Sequence, residues 1–211
     1  MTKKSKKIIS PITEPTHEQL SYILENMHEG IGIVDVNEIL TYVNNAFAAQ
    51  VEETKENLIG KALNEVFDPS LFPFFQKETQ KRLSGENSDY EIPFKTKSGA
   101  TKYYKVYVAP RYDSEGKYIG AIGSMLDITD KFEASRQLIK AKEKVLVTEQ
   151  TVSQAEENYR VTEEKFRHGL TLNSELLDAE VALVQAKTNY AQSVVDYELA
   201  KAQIERATGG K

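Results

Sequence analysis

Apolar and polar positions alternate by two rules in this chain, and the rule changes near residue 130. Before that point the apolar runs are short. EQLSYILENM, Glu18 to Met27, has helical spacing, and GIGIVDVNEILTYVN alternates on either side of Asp35 to Glu38. The alternation predicts a hairpin of two strands. Short helical pieces follow from Asn45 to Phe67. SLFPFFQKETQKRLSG then predicts a longer helix, with Ser70 as its N-cap and Gly85 just past its end. Three further strands are predicted in DYEIPFKTK, TKYYKVYVAPRYD and KYIGAIGSMLDIT, separated by turns at Ser98-Gly99 and at Ser114 to Gly116. In the middle one, Tyr104, Val106 and Val108 share one face and Tyr103, Lys105 and Tyr107 the other. Strands at both ends with helices between predict an α+β domain: a five-stranded antiparallel sheet with helices on one face.

After residue 130 the period becomes seven. Leu138, Val145, Val152, Tyr159 and Phe166 form one register, with Ala141, Thr148, Ala155 and Thr162 offset by three. Leu176, Leu183, Tyr190, Tyr197 and Ile204 repeat it, with Ala179, Ala186, Ser193, Ala200 and Ala207 offset by three. Large residues at one heptad position and small ones at the other suit two antiparallel helices in close approach. Neither Lys131 to Arg167 nor Leu172 to Thr208 holds a Gly or Pro. The two helices would run about 55 Å and about 52 Å, near-equal lengths that predict an all-α antiparallel coiled-coil hairpin. Its turn falls at 168–173, where Gly169 supplies the helix-end conformation and Asn173 or Ser174 can cap the second helix. Gly209 and Gly210 end it. The expected organisation is a basic tail over 1–17, a mixed domain over 18–130 and a hairpin over 131–209.

Composition narrows the chemistry. The formal charge of −5 speaks against nucleic acid, which calls for a basic face. The chain has no Cys, so disulfides, thiolate metal sites and cysteinyl catalysis are excluded. No apolar run is long enough to predict a membrane span. The start, MTKKSKKIIS, is basic without the apolar core of a signal peptide, so a cytoplasmic location is expected. No Gly-rich nucleotide loop, Ser-His-Asp set or metal-ligand cluster is evident, and no enzyme is expected.

Residues 18 to 130 resemble a PAS domain, the sensory module of many bacterial signalling proteins. The matching residues are GIGIVD, YVNNAF with Asn44, LIGK with Gly60, and the terminal Asp127-Ile128-Thr129. The resemblance implies strand order 2-1-5-4-3, a pocket between sheet and helices, and an outgoing helix that carries the signal, as in sensor histidine kinases. It also implies a ligand of unknown identity, or none. Flavin photochemistry of this family needs a Cys that is missing here, and the long helix has no His to ligate haem. His17 and His28 lie outside it, and His28 reads as a surface residue. Tyr42, Phe47, Phe67 and Tyr104 are candidate pocket residues, as are Phe72, Phe74 and Phe75; the same spacing also suits plain core. Arg111 could meet a carboxylate ligand or lie in solvent. Asn44 could polarise a ligand or cap the helix that follows it.

The stretch around FRHGLTLNSELLDAE, roughly residues 140 to 209, resembles the second helical hairpin of TolC-type outer-membrane efflux proteins. Glu-Glu-Asn-Tyr, the Gly-Leu-Thr tip, Leu-Leu-Asp-Ala and the closing Arg-Ala-Thr-Gly carry the likeness. It implies that Gly169, Leu170 and Thr171 meet the hairpin tip of a membrane-fusion (adaptor) protein, and that Glu175 and Asp178 are the acidic residues narrowing the closed entrance. Helix termination and the preference for acids in a first turn account for the same five residues without a partner. That family is periplasmic, and its signal peptide, β-barrel and other hairpins are absent here. The two resemblances together point to a non-catalytic fusion, an engineered chimera of a sensor and an efflux hairpin. The alternatives are a natural PAS signalling protein with coiled-coil output, or an oligomerising structural unit that uses Leu177, Val181, Val184 and Val195.

Overall fold

The computed structural model describes residues 14–209. The first thirteen residues of the predicted basic tail, and Gly210, lie outside them. The chain divides into two units, Met1–Ile128 and Thr129–Lys211.

The first unit begins with helix α1 (His17–Glu25), closed at its start by a capping box between Thr16 and Gln19. Strands β1 (Gly30–Val34) and β2 (Leu40–Val43) form the predicted hairpin. Short helices α2 (Asn45–Gln50), α3 (Lys55–Leu58) and α4 (Leu63–Val66) follow, then a 3-10 turn over Pro69–Leu71 and helix α5 (Phe72–Leu83). Strands β3 (Ser88–Lys95), β4 (Thr101–Tyr112) and β5 (Tyr118–Asp127) complete one antiparallel sheet in the order β2-β1-β5-β4-β3. The first strand thus pairs with both the second and the last.

Alternation along the strands sorts the faces. Tyr104 and Val106 are buried and Val108 is half-buried, while Lys105 and Tyr107 are exposed. Phe67 anchors the core between sheet and helices. Its ring meets Phe47, Phe75 and Phe94 edge-on, at centroid separations of 6.4, 5.6 and 5.5 Å. Edge-to-face packing of this kind adds to the area these rings bury.

The start of α5 differs from expectation. Ser70 is not its N-cap: α5 starts at Phe72 after Leu71, with no side-chain cap. Asp68 takes that role for the 3-10 turn instead, accepting from the Ser70 N–H at 2.8 Å. Pro69 explains the shift, because its fixed φ and missing N–H suit the first position of a helical turn. The far end is as expected, with Gly85 at φ 91 and the Glu86 N–H donating to the Lys81 carbonyl at 3.1 Å.

The second unit is helix α6 (Thr129–Arg167) packed on helix α7 (Asn173–Ala207) as a hairpin. The turn is a Schellman closure. Gly169 sits at φ 70, its N–H donates to Phe166 at 2.9 Å, and the Leu170 N–H reaches Lys165 at 2.8 Å. Neither Asn173 nor Ser174 caps α7. Leu172 holds the N-cap position without a side-chain bond, and the Thr171 hydroxyl bonds Glu175 instead. The small register behaves as the heptads predict: Ala179, Ala186, Ser193 and Ala200 are the buried residues of α7. Phe166, the last large residue of the first register, is 39% exposed at the helix end. Thr148 and Ser193 share a hydrogen bond of 2.8 Å inside the seam, and Lys144–Asp196 (2.8 Å) and Lys187–Glu156 (2.9 Å) bridge its edges.

Candidate functional site

The first unit contains a mostly apolar cavity of about 70 Å³ between sheet and helices. Two strands make room for it. Gly32 of β1 and Gly123 of β5 are cross-strand partners on the inner face. A Cβ on Gly32 would come within 3.2 Å of the Phe47 ring, so that glycine admits the phenylalanine. A Cβ on Gly123 would meet Val108 at 3.5 Å, ordinary contact, so that position is left open. The β5 residues Ala121, Gly123 and Met125 line one wall, and Phe47, Phe67 and Phe75 the opposite one.

One end of the cavity is polar. Arg82 of α5 lines it and is 3% exposed. Its Nη2 donates to the Thr79 hydroxyl at 2.6 Å and to the Glu38 carboxylate at 3.2 Å, and Nη1 reaches the Ser88 hydroxyl at 3.4 Å. Glu38 stands in the β1–β2 turn at φ 60, a conformation rare for a residue with a Cβ. Its bonds to Thr79 and Arg82 hold that turn to α5. Glu78, 5% exposed, pairs with Lys81 at 2.6 Å. Burial works to raise the Glu78 carboxyl, but Lys81, Ser88 and the charge of Arg82 hold it below its ordinary value. Tyr90 of β3 also lines the cavity, and burial pushes its phenol up to about 12.

Of the aromatic residues singled out from sequence, Phe47, Phe67 and Phe75 line the cavity. Tyr42 and Tyr104 do not. The Tyr42 hydroxyl donates to Glu25 at 3.0 Å with Lys55 over its ring, a tie between α1 and β2. Tyr104 is fully buried and its hydroxyl donates to the Gln50 carbonyl at 3.3 Å, which makes it core. Phe74 packs on Tyr90 at 4.9 Å. His17, His28 and His168 are exposed. Among the described residues no group of His, Cys, Asp and Glu is placed to hold a metal ion, and no helix is long and apolar enough to cross a membrane.

Asn44 is a strut. It is fully buried and uses its whole amide: Oδ1 accepts from Ile31 N–H (2.8 Å) and Phe47 N–H (2.9 Å), and Nδ2 donates to Leu24 and Glu29 carbonyls, both at 2.9 Å. It caps α2 and ties the end of α1 to β1. Sequence reasoning missed Arg82, Tyr90 and Glu38. An Arg among charged residues on a helix face reads as solvated, and only tertiary packing buries it. The facing glycines in GIG and AIG were the available signal for a cavity.

At the hairpin turn Leu170 is 75% exposed, and Gly169, Glu175 and Asp178 are exposed with it. Thr171 is half-buried, its hydroxyl engaged by Glu175.

Comparison with known proteins places the first unit. The family described as PAS fold matches residues 24–133. Sporulation kinase C of Bacillus subtilis is 24% identical over 136 residues, covering 64% of this chain and 32% of that kinase. The C4-dicarboxylate transport sensor protein DctS of Rhodobacter capsulatus is 30% identical over 128 residues, 58% of this chain and 19% of that sensor. The chain thus spans a third or less of the length of these curated relatives. A solved RNA-binding light-oxygen-voltage receptor superposes with a TM-score of 0.53 at 19% identity, over 66% of this chain and 41% of that one, a likeness of fold alone. The strand order, the cavity between sheet and helices and a family match over more than half of the residues agree: the chain belongs to the PAS-fold family.

Proposed function

We propose that this chain is a non-catalytic sensory unit that converts a change in the PAS cavity into a change in helix α6. One observation carries the reading. Strand β5 supplies the cavity wall at Ala121, Gly123 and Met125, ends at Asp127, and continues through Ile128 into α6 at Thr129. The Ile128 N–H donates to the Tyr103 carbonyl at 2.8 Å, so the exit is pinned to β4 as well. Strand and helix are joined through the single residue Ile128, so the backbone is the route by which a displacement of β5 would reach the helix. Relatives named as a sporulation kinase and as a transport sensor support a signalling role, the chain here corresponding to their sensory part.

The absence of Cys makes the test clean, since one introduced thiol labels one site. A spin label at Lys140→Cys, an exposed position of α6, reports the helix. Gly123→Ala adds a methyl to the cavity wall without a clash. The expected result is a changed label spectrum in the Gly123→Ala background. An identical spectrum, in a protein whose cavity-wall resonances have moved, would sink the proposal.

The hairpin admits a second reading, supported by the exposure of Leu170 at a rigidly closed turn. We propose that this tip is a protein contact of the TolC-type hairpin kind, and that sensor and hairpin derive from separate sources. Titration with an isolated adaptor hairpin tests the contact: saturable binding lost in Leu170→Ser supports it, and binding indifferent to that change contradicts it. A single natural gene spanning residues 24–209 would contradict separate sources.

A further inference from the structure

A buried arginine normally has every N–H engaged, because an unmade bond inside a protein carries the full cost of desolvation. Arg82 does not. Its Nε–H is buried and has no partner among the described residues. Tyr90, half-buried, lines the same cavity and carries an O–H. The rest of the wall is largely apolar, with Phe67, Ile92 and Val106 prominent. Two donors at one end of a greasy hole describe the complement of an oxygen acceptor on a small apolar body.

Size and charge narrow the class. A hydrocarbon-lined cavity of roughly 150 Å³ accepts benzene with its six heavy atoms, so half that volume suits about three to four. The charge around Arg82 is already balanced. Glu38 lies 3.2 Å away, and Glu78, one turn back on α5, pairs with Lys81. An anion would add a third negative group to two carboxylates and two cations. A neutral acceptor needs only the free N–H. We infer that the cavity binds a small neutral carbonyl compound, a ketone or amide of about four heavy atoms. Its oxygen faces Arg82 Nε–H and Tyr90 O–H, and its alkyl part takes the space left by the missing side chain of Gly123. This rests on the sensory reading above, whose cavity it fills.

The test uses ¹⁵N-labelled full-length chain, titrated with acetone, acetamide, acetate and xenon while the Arg82 Nε–H resonance is followed. Acetone and acetamide are expected to shift that resonance saturably, with acetate at least tenfold weaker. Tyr90→Phe should weaken acetone about fivefold, the worth of one neutral hydrogen bond. Gly123→Ala should weaken it at least tenfold by taking the space. Arg82→Met removes the ion-pair partner of Glu38 and is a poor probe, so these two variants carry the test. Acetate binding as tightly as acetone, a resonance that no carbonyl moves (water alone filling the site), or unaltered affinity in Gly123→Ala would each overturn the assignment. Acetone that binds as described but leaves the α6 label unchanged would instead remove the sensory reading and keep the ligand class. Xenon or Gly123→Ala moving the label without carbonyl binding would do the reverse.

Discussion

The two units of this chain bury side chains by different rules. In the PAS unit a sheet and several helices enclose large residues from all sides. Leu40, Val43, Leu58 and Tyr104 are at most 1% exposed. The hairpin has only two helices, and only small residues disappear into its seam, while Leu183, Tyr190 and Tyr197 stay half-buried. Its flanks leave Ile139, Leu146, Val147, Val181 and Leu199 exposed. An enclosing core can also hold polar groups and empty space out of water, as Asn44, Arg82 and the cavity show. The two-helix seam shields only small groups such as the Thr148–Ser193 hydroxyl pair; what it mainly offers is surface. That contrast is the ground for the division of labour proposed above, ligand in one unit and contact on the other.

The difference should appear first in core truncations. Phe67→Ala removes a ring packed on three others and is expected to cost about 3–5 kcal/mol. Urea unfolding followed by amide exchange should show the PAS unit failing while protection along α7 persists. A loss under 1 kcal/mol would mean the core is looser than described. Asn44→Ala comes next. It strands two N–H groups and two carbonyls at one buried point, and should cost about 3 kcal/mol by the same measurement. A near-neutral change would show that water replaces the amide.

Overpacking turns the comparison round. Ala186→Leu forces a large side chain into the hairpin's small register and should cost about 2 kcal/mol there, leaving the PAS transition in place. Full tolerance would show that the helices are free to separate. Ser193→Ala should cost less than about 1 kcal/mol, because Thr148 keeps its bonds to the Lys144 and Val145 carbonyls. A larger loss would make the Thr148–Ser193 pair a determinant of register.

The smallest effect is electrostatic. The hydrogen bond from Lys55 holds the Glu25 carboxyl below its ordinary value, with help from Tyr42 and Asn45 and against partial burial. A depressed folded pKa makes a contribution that is present above the ordinary value, about 4.3, and lost as pH falls through the folded one. Urea midpoints of the parent and of Glu25→Gln should therefore differ at neutral pH and converge in acid. A gap that persists below both values would assign the effect to packing.

Much of this architecture is legible in the chain because it is local. Period two in YYKVYVAP and period seven from Leu138 to Ala207 give the strands and the hairpin directly, and Gly85 and Gly169 mark helix ends through their backbone freedom. Helix starts are less legible. Asp68 and Pro69 together outcompete Ser70, and Leu172 opens α7 although Asn173 and Ser174 follow it, since a cap depends on the angle at which the chain arrives. The polar end of the cavity is hidden altogether. Glu38, Thr79, Arg82 and Tyr90 lie on three separate elements, and nothing in their sequence neighbourhoods says that they meet. The ties of Tyr42 and the burial of Tyr104 are hidden for the same reason.

The central claim is that the β5 wall of the cavity governs the helix that follows it. Amide exchange over Thr129–Arg136, compared between the parent chain and Gly123→Ala, tests this most directly. The account predicts that protection in these first turns of α6 changes together with that of Ala121 to Met125, while the turns near Arg167 stay as they were. Altered exchange in β5 with an unchanged first two turns of α6 would contradict it.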